Sequence, residues 1–176
     1  MAYLVPSEFV SKMVDAGESK IYMSTRDALI RAYMAGAILA LAAVFAVTAT
    51  VMTGQPLVGA ILFLLGFDLL TGVFVLTPLA WLDKRPGVTI KAILKNWGVV
   101  FTGNFLGALT VAFLMAFVFT YGFSTEPNEI GQKIGHIGEA RTLGYAKWGV
   151  AGWFTIFIRG MLCNWMVSTG VVGAMI

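Results

Sequence analysis

The sequence predicts an all-α integral membrane protein, and three observations carry that reading. Apolar residues make up 59% of the chain and the mean hydropathy is +0.84. Charged residues make up only 12%, about half the share of an ordinary soluble domain. Four stretches, residues 29–52, 57–82, 97–121 and 148–176, each supply the roughly 20 mostly apolar residues that a helix needs to cross a bilayer.

The segment before the first span has its own pattern. Ser7 is placed to cap a short helix in which Phe9, Val10, Met13 and Val14 share one face while Lys12, Asp15 and Glu18 point elsewhere. Such a helix either lies in the bilayer interface or docks on protein, and both readings stay open. Residues 1–20 lack the basic-then-apolar layout of a cleaved signal and are expected to remain. Lys12, Lys20, Arg26 and Arg31 lead into the first span, and Lys84, Arg85, Lys91 and Lys95 fill the connection between the second and third. The positive-inside rule then puts the N-terminus and that connection in the cytoplasm, with residues 53–56 and 122–147 outside. The net charge of +3 is thereby spent on orientation, and no nucleic-acid partner is expected. The division is a single channel-type domain: 1–28 interfacial helix and lead-in, 29–121 three spans, 122–147 outer connecting segment, 148–176 the fourth span.

The second span is not a plain helix. Gly66, Asp68, Thr71, Gly72, Thr77 and Pro78 interrupt it, and irregular backbone at membrane depth survives only where protein buries it or where it lines a cavity. Asp68 is a charge in a costly place and hence a functional-site hypothesis. Broken helices expose a half-helix N-terminus that favours an anion, and Asp68 is expected to serve as its cap. The Thr71 hydroxyl can donate to an anion or bond its own helix backbone. In the third span Gly103, Asn104 and Gly107 form a small-residue packing face with an amide able to bond across helices. In the fourth, Arg159 is read as a structural residue that snorkels or pairs internally, and Asn164 as either packing glue or a pore-facing amide.

Other chemistries find little support. Cys163 is the only cysteine and His136 the only histidine, so no cofactor, disulfide or metal centre is expected. His136, in the outer segment, reads as a solvated residue. No phosphate-binding glycine loop is present and an enzyme is not expected.

Three motifs in succession carry a resemblance: Gly66-Phe67-Asp68-Leu69-Leu70-Thr71, then Lys95-Asn96-Trp97 followed by Gly103-Asn104-Phe105-Leu106-Gly107-Ala108, then Arg159-Gly160-Met161-Leu162-Cys163-Asn164-Trp165. In order and spacing they resemble the formate/nitrite transporter family across nearly the whole chain. The resemblance implies an aquaporin-like inverted-repeat helical bundle of six spans, the second and fifth broken. It implies a homopentamer in the plasma (inner) membrane whose subunits each conduct small monovalent anions of the formate or nitrite type. Residue for residue, Leu69, Leu70 and Thr71 would form the cytoplasmic-side constriction, Asn164 would offer its amide near the opposite mouth, and Lys147 would be the mouth lysine, raising the local anion concentration. Residues 29–121 correspond to the first repeat and 148–176 to the first span of the second. The fifth span, with its Gly-x-x-His-x-x-Asn-Met stretch, and the sixth have no counterpart in residues 1–176, so a truncated, non-conducting membrane assembly component is the alternative. Val167-Ser168-Thr169-Gly170, where the family commonly has Val-Cys-Leu-Ala, and Leu70, where phenylalanine is frequent, bear on substrate preference.

Overall fold

The computed structural model describes residues 5–58 and 70–173, and every regular element among them is a helix. In order these are α1 (Pro6–Tyr22), α2 (Thr25–Thr53), α3 (Leu70–Leu82), α4 (Ile90–Phe119), α5 (Glu129–Arg141), a 3-10 helix (Leu143–Trp148) and α6 (Gly149–Gly173). Helix long and apolar enough to cross a membrane is found in α2, in α4 and in the stretch Glu129–Gly173, whose apolar part is α6; α3 is apolar but shorter. The predicted all-helical membrane class is the class observed. Two compact units result, one of residues 1–35, 68–105 and 162–176, the other of residues 36–67 and 106–161.

In the first unit, local chemistry sets the helix starts. Ser24 caps α2: its Oγ accepts from the Asp27 amide at 3.1 Å and donates to the Asp27 carboxylate at 2.8 Å, satisfying an amide that lacks a helical partner. Thr89 does the same for α4, accepting from the Ala92 amide at 3.2 Å. At α1 the expectation is corrected. Its N-cap is Val5, without a side-chain bond, and the helix starts at Pro6, so Ser7 already lies in the first turn. Proline suits that position because its missing N–H is one the helix would leave unpaired anyway.

Met13, Val14 and Gly17 of α1 are buried while Val10 is exposed, and the buried face lies against α3. A side chain on Gly17 would run into the Leu76 backbone carbonyl, so glycine is what lets these two helices touch. The N-terminal helix is thus docked on protein through this face. Val14, Ala80, Val88 and Ile93 form one apolar cluster, and Ala32, Val73 and Val100 a second, with Trp97 packed against both.

A second correction concerns the interrupted span. Gly72, Thr77 and Pro78 do not break α3, which runs continuously through all three. Thr77 is fully buried, and its hydroxyl donates to the Val73 carbonyl at 2.7 Å, so its polarity is absorbed by its own helix. The other expected interruptions, Gly66 and Asp68, lie outside the described residues.

In the second unit the hydroxyls of Thr48 and Thr50 are likewise absorbed by the carbonyls of Val44 and Ala46. After α4 the chain reverses at Gly122, in left-handed backbone (φ 73°), whose amide donates to the Phe117 carbonyl at 2.8 Å. Phe123 then folds its ring against Phe113 and Phe117. The outer segment thus has order of its own: Asn128 caps α5 by accepting from the Gly131 amide at 3.0 Å. An apolar cavity of about 530 Å³ is lined by Ala40, Val44, Val111, Met115, Phe119 and Ile134 among others.

Candidate functional site

Asp68 and Leu69 lie outside the described residues, and Leu70 and Thr71 open α3 with helical backbone, their side chains likewise outside the description. What the structure defines is how the helix they begin is held. From one side Gly17 of α1 admits the Leu76 carbonyl. From another, the Trp97 indole of α4 donates to the Val73 carbonyl at 3.2 Å and to the Thr77 hydroxyl at 3.1 Å. Its ring also meets Phe74 edge-on, with centroids 4.4 Å apart at 74°. Ala80, with no exposed surface, closes the contact. The first described turn of α3 carries no acidic residue.

The connection after α3 ties the N-terminal helix down. Arg85 pairs with Asp15 at 2.8 Å, Glu18 at 3.4 Å and Asp83 at 2.8 Å. The Asp83 hydrogen bond first, then the neighbouring carboxylates, hold its guanidinium above the ordinary value against a partial desolvation that lowers it. The Tyr22 hydroxyl donates to the Pro86 carbonyl. Nearby, a cavity of about 20 Å³, the size of one water, is lined by Lys20, Arg31 and Asn96 among apolar neighbours. Asn96 donates from Nδ2 to the Lys20 carbonyl at 3.0 Å, and its buried Oδ1 has no partner among the described residues.

The predicted packing residues of the third span lie on α4. Gly103 is buried, and a methyl there would come within 2.5 Å of the Ala32 Cβ and 3.0 Å of the Leu29 carbonyl. Asn104 Nδ2 donates to the Ala32 carbonyl at 2.7 Å, a bond between helices. Gly107, one turn on, is also buried.

Lys147 belongs to the 3-10 helix, with Nζ 5.2 Å from the centre of the Trp148 ring. Asn164 lies half-buried on α6 in the other compact unit. Arg159, also on α6, donates to the Tyr145 hydroxyl and lies 5.8 Å from the centre of its ring. Tyr145 escaped the sequence reading; an aromatic residue two positions before a candidate lysine was the available signal. Trp97 was seen as part of a motif but not as the support of α3. His136 is exposed on α5, its Nδ1 4.0 Å from Glu139, and Cys163 is exposed. Among the described residues no group of His, Cys, Asp or Glu could hold a metal ion.

Comparison with known proteins gives these features a context. The chain is 32% identical over 113 residues to a probable formate transporter of Methanothermobacter thermautotrophicus, covering 60% of this chain and 39% of that protein. It is 30% identical over 159 residues to the formate channel FocA of Haemophilus influenzae, covering 78% and 49% respectively. It is 26% identical over 188 aligned positions to the uncharacterized transporter YrhG of Bacillus subtilis, covering 97% and 65%. The chain therefore spans roughly two fifths to two thirds of the length of these relatives. No solved structure gives a significant match. The model of the family described as Formate/nitrite transporter matches residues 7–176, nearly the whole of the chain, which therefore belongs to that family.

Proposed function

We propose that this chain forms part of a membrane pore for small monovalent anions of the formate or nitrite type, one path per subunit of a homopentamer in the plasma membrane, with the N-terminus cytoplasmic. The observation that carries the reading is the family match over residues 7–176, supported by relatives described as formate transporter and formate channel. The physical case rests on α3. A half-helix that starts inside a membrane protein turns its N-terminal dipole toward an anion, and here the body of α3 is braced by α1 at Leu76 and by α4 at Thr77. In this reading Leu69, Leu70 and Thr71 narrow the cytoplasmic side of the path and Asp68 caps the half-helix. Asn164 and Lys147 serve the opposite mouth, where the ammonium raises the local anion concentration. Desolvation in a narrow apolar path favours the protonated form of a weak acid, which eases its passage.

A second reading, a non-conducting assembly component, is favoured by α6, an apolar helix in which Gly152 alone is buried among the described residues. Reconstitution of the 176-residue chain in liposomes, with entry of isotopically labelled formate followed down an imposed gradient, separates the two. Formate entry above that of empty liposomes supports a pore; none supports the assembly role.

A further inference from the structure

An arginine within an apolar helix needs a reason, and a guanidinium bonded to a neutral phenol is not charge-neutralised. Arg159 donates to the Tyr145 hydroxyl and stacks over its ring. Among the described residues neither Arg159 nor Lys147 has a carboxylate partner. The grip on Tyr145 reaches Lys147 by a short route. In a 3-10 helix residues three apart eclipse one another, so Tyr145 and Trp148 lie on one side. That side rests on the first turn of α6, where a side chain on Gly152 would strike the Tyr145 carbonyl and come within 3.3 Å of the Trp148 Cβ. The Lys147 ammonium then sits over the Trp148 ring at 5.2 Å. Gly149, in left-handed backbone at φ 53°, makes the turn that folds the 3-10 helix onto α6.

We propose that Arg159 is a positioning residue: by holding Tyr145 against α6 it fixes the 3-10 turn and, through Trp148, the direction of the Lys147 ammonium toward a permeating carboxylate anion. The proposal rests on the reading of Lys147 as a mouth residue. Phenylalanine at 145 keeps the ring and every charge while removing the bond; lysine at 159 keeps the charge while removing the planar fork. The test uses the intact protein carrying this sequence, reconstituted in liposomes with formate as the probe, and two readouts. The first is the formate concentration at half-maximal flux. The second is the rate at which an amine-acylating reagent modifies Lys147, followed by peptide mass spectrometry, with circular dichroism confirming an intact fold.

Tyr145→Phe and Arg159→Lys are each expected to speed Lys147 acylation several-fold and to raise the half-saturating formate concentration with maximal flux retained. Tyr145→Phe is expected to add nothing on top of Lys147→Ala. Unchanged acylation in Tyr145→Phe overturns the positioning role whatever the flux does. Faster acylation with half-saturation unmoved in both Tyr145→Phe and Lys147→Ala removes Lys147 from the anion path, and the positioning role toward the anion falls with it.

Discussion

The indole of Trp97 donates to the hydroxyl of Thr77 at 3.1 Å, and that hydroxyl in turn donates to the Val73 carbonyl at 2.7 Å. Trp97 therefore reads α3 at two adjacent acceptors, the Thr77 hydroxyl and the Val73 carbonyl, at a residue with no exposed surface. Trp97→Phe keeps the edge-on contact with Phe74 and loses both bonds, and is expected to cost about 1 kcal/mol. Thermal unfolding in detergent checks it, with Thr77→Val combined with Trp97→Phe costing less than the two separate losses summed. Strict additivity would mean that the two groups do not interact.

Gly17→Ala is expected to loosen α1 from α3, because the added methyl meets a backbone carbonyl that cannot swing aside. Overpacking of this kind costs about 1–3 kcal/mol. Gly98→Ala, with nothing within 4 Å of the new methyl, serves as the control and is expected to leave stability equal or higher by up to about 1 kcal/mol. Limited proteolysis of the N-terminal helix, compared between the two variants, checks the pair.

Gly103→Ala places a methyl 2.5 Å from that of Ala32 and strains the approach on which the Asn104 bond to the Ala32 carbonyl depends. Gly103→Ala and Asn104→Leu are expected to destabilise by about 1 kcal/mol or more each and to couple, because both act on the same contact between α2 and α4. Unfolding midpoints of the single and double variants give the coupling.

Arg85→Gln removes the charge that meets Asp15, Glu18 and Asp83. These groups are solvated, so the loss is expected to appear at low salt as faster proteolysis of α1 and to fade as salt rises. The raised folded-state pKa of Arg85 means that its stabilisation is complete below its unfolded value and is lost only as pH rises through the folded one. Both lie far above neutrality, so this guanidinium adds no pH dependence near pH 7. A proteolysis rate independent of salt in the parent protein would remove the clamp as an explanation.

In the proposed path, Thr71→Val is expected to reduce formate flux by removing a hydroxyl donor while keeping the side-chain shape, and Leu70→Ala to widen the constriction and raise passage of larger anions. Flux assays of formate against a bulkier carboxylate check both; two unchanged profiles would take these residues out of the path.

Much of the architecture was readable in advance because a bilayer demands long apolar helices, and α2, α4 and α6 announce themselves by hydropathy alone. Thr77 and Pro78 misled because residues that weaken an isolated helix were taken as breaks in it, whereas the Thr77 hydroxyl is satisfied within α3 and by an indole twenty residues away. Gly17 gave no signal at all: nothing local says that a glycine in an amphipathic helix is there to admit a carbonyl of another helix. Ser7 looked like a cap, and Pro6 took the first turn instead. Around Lys147 the lysine itself was legible, but Arg159 and Tyr145 meet only because a left-handed glycine folds the short 3-10 helix onto α6, which periodicity does not encode.

α3 is gripped along its body, by α1 at Leu76 and by α4 at Thr77, so its depth is tied to that of the helices that hold it. When lipid chains lengthen or shorten, the long helices tilt to follow the thickness, and α3 travels with its two supports rather than with the membrane surface.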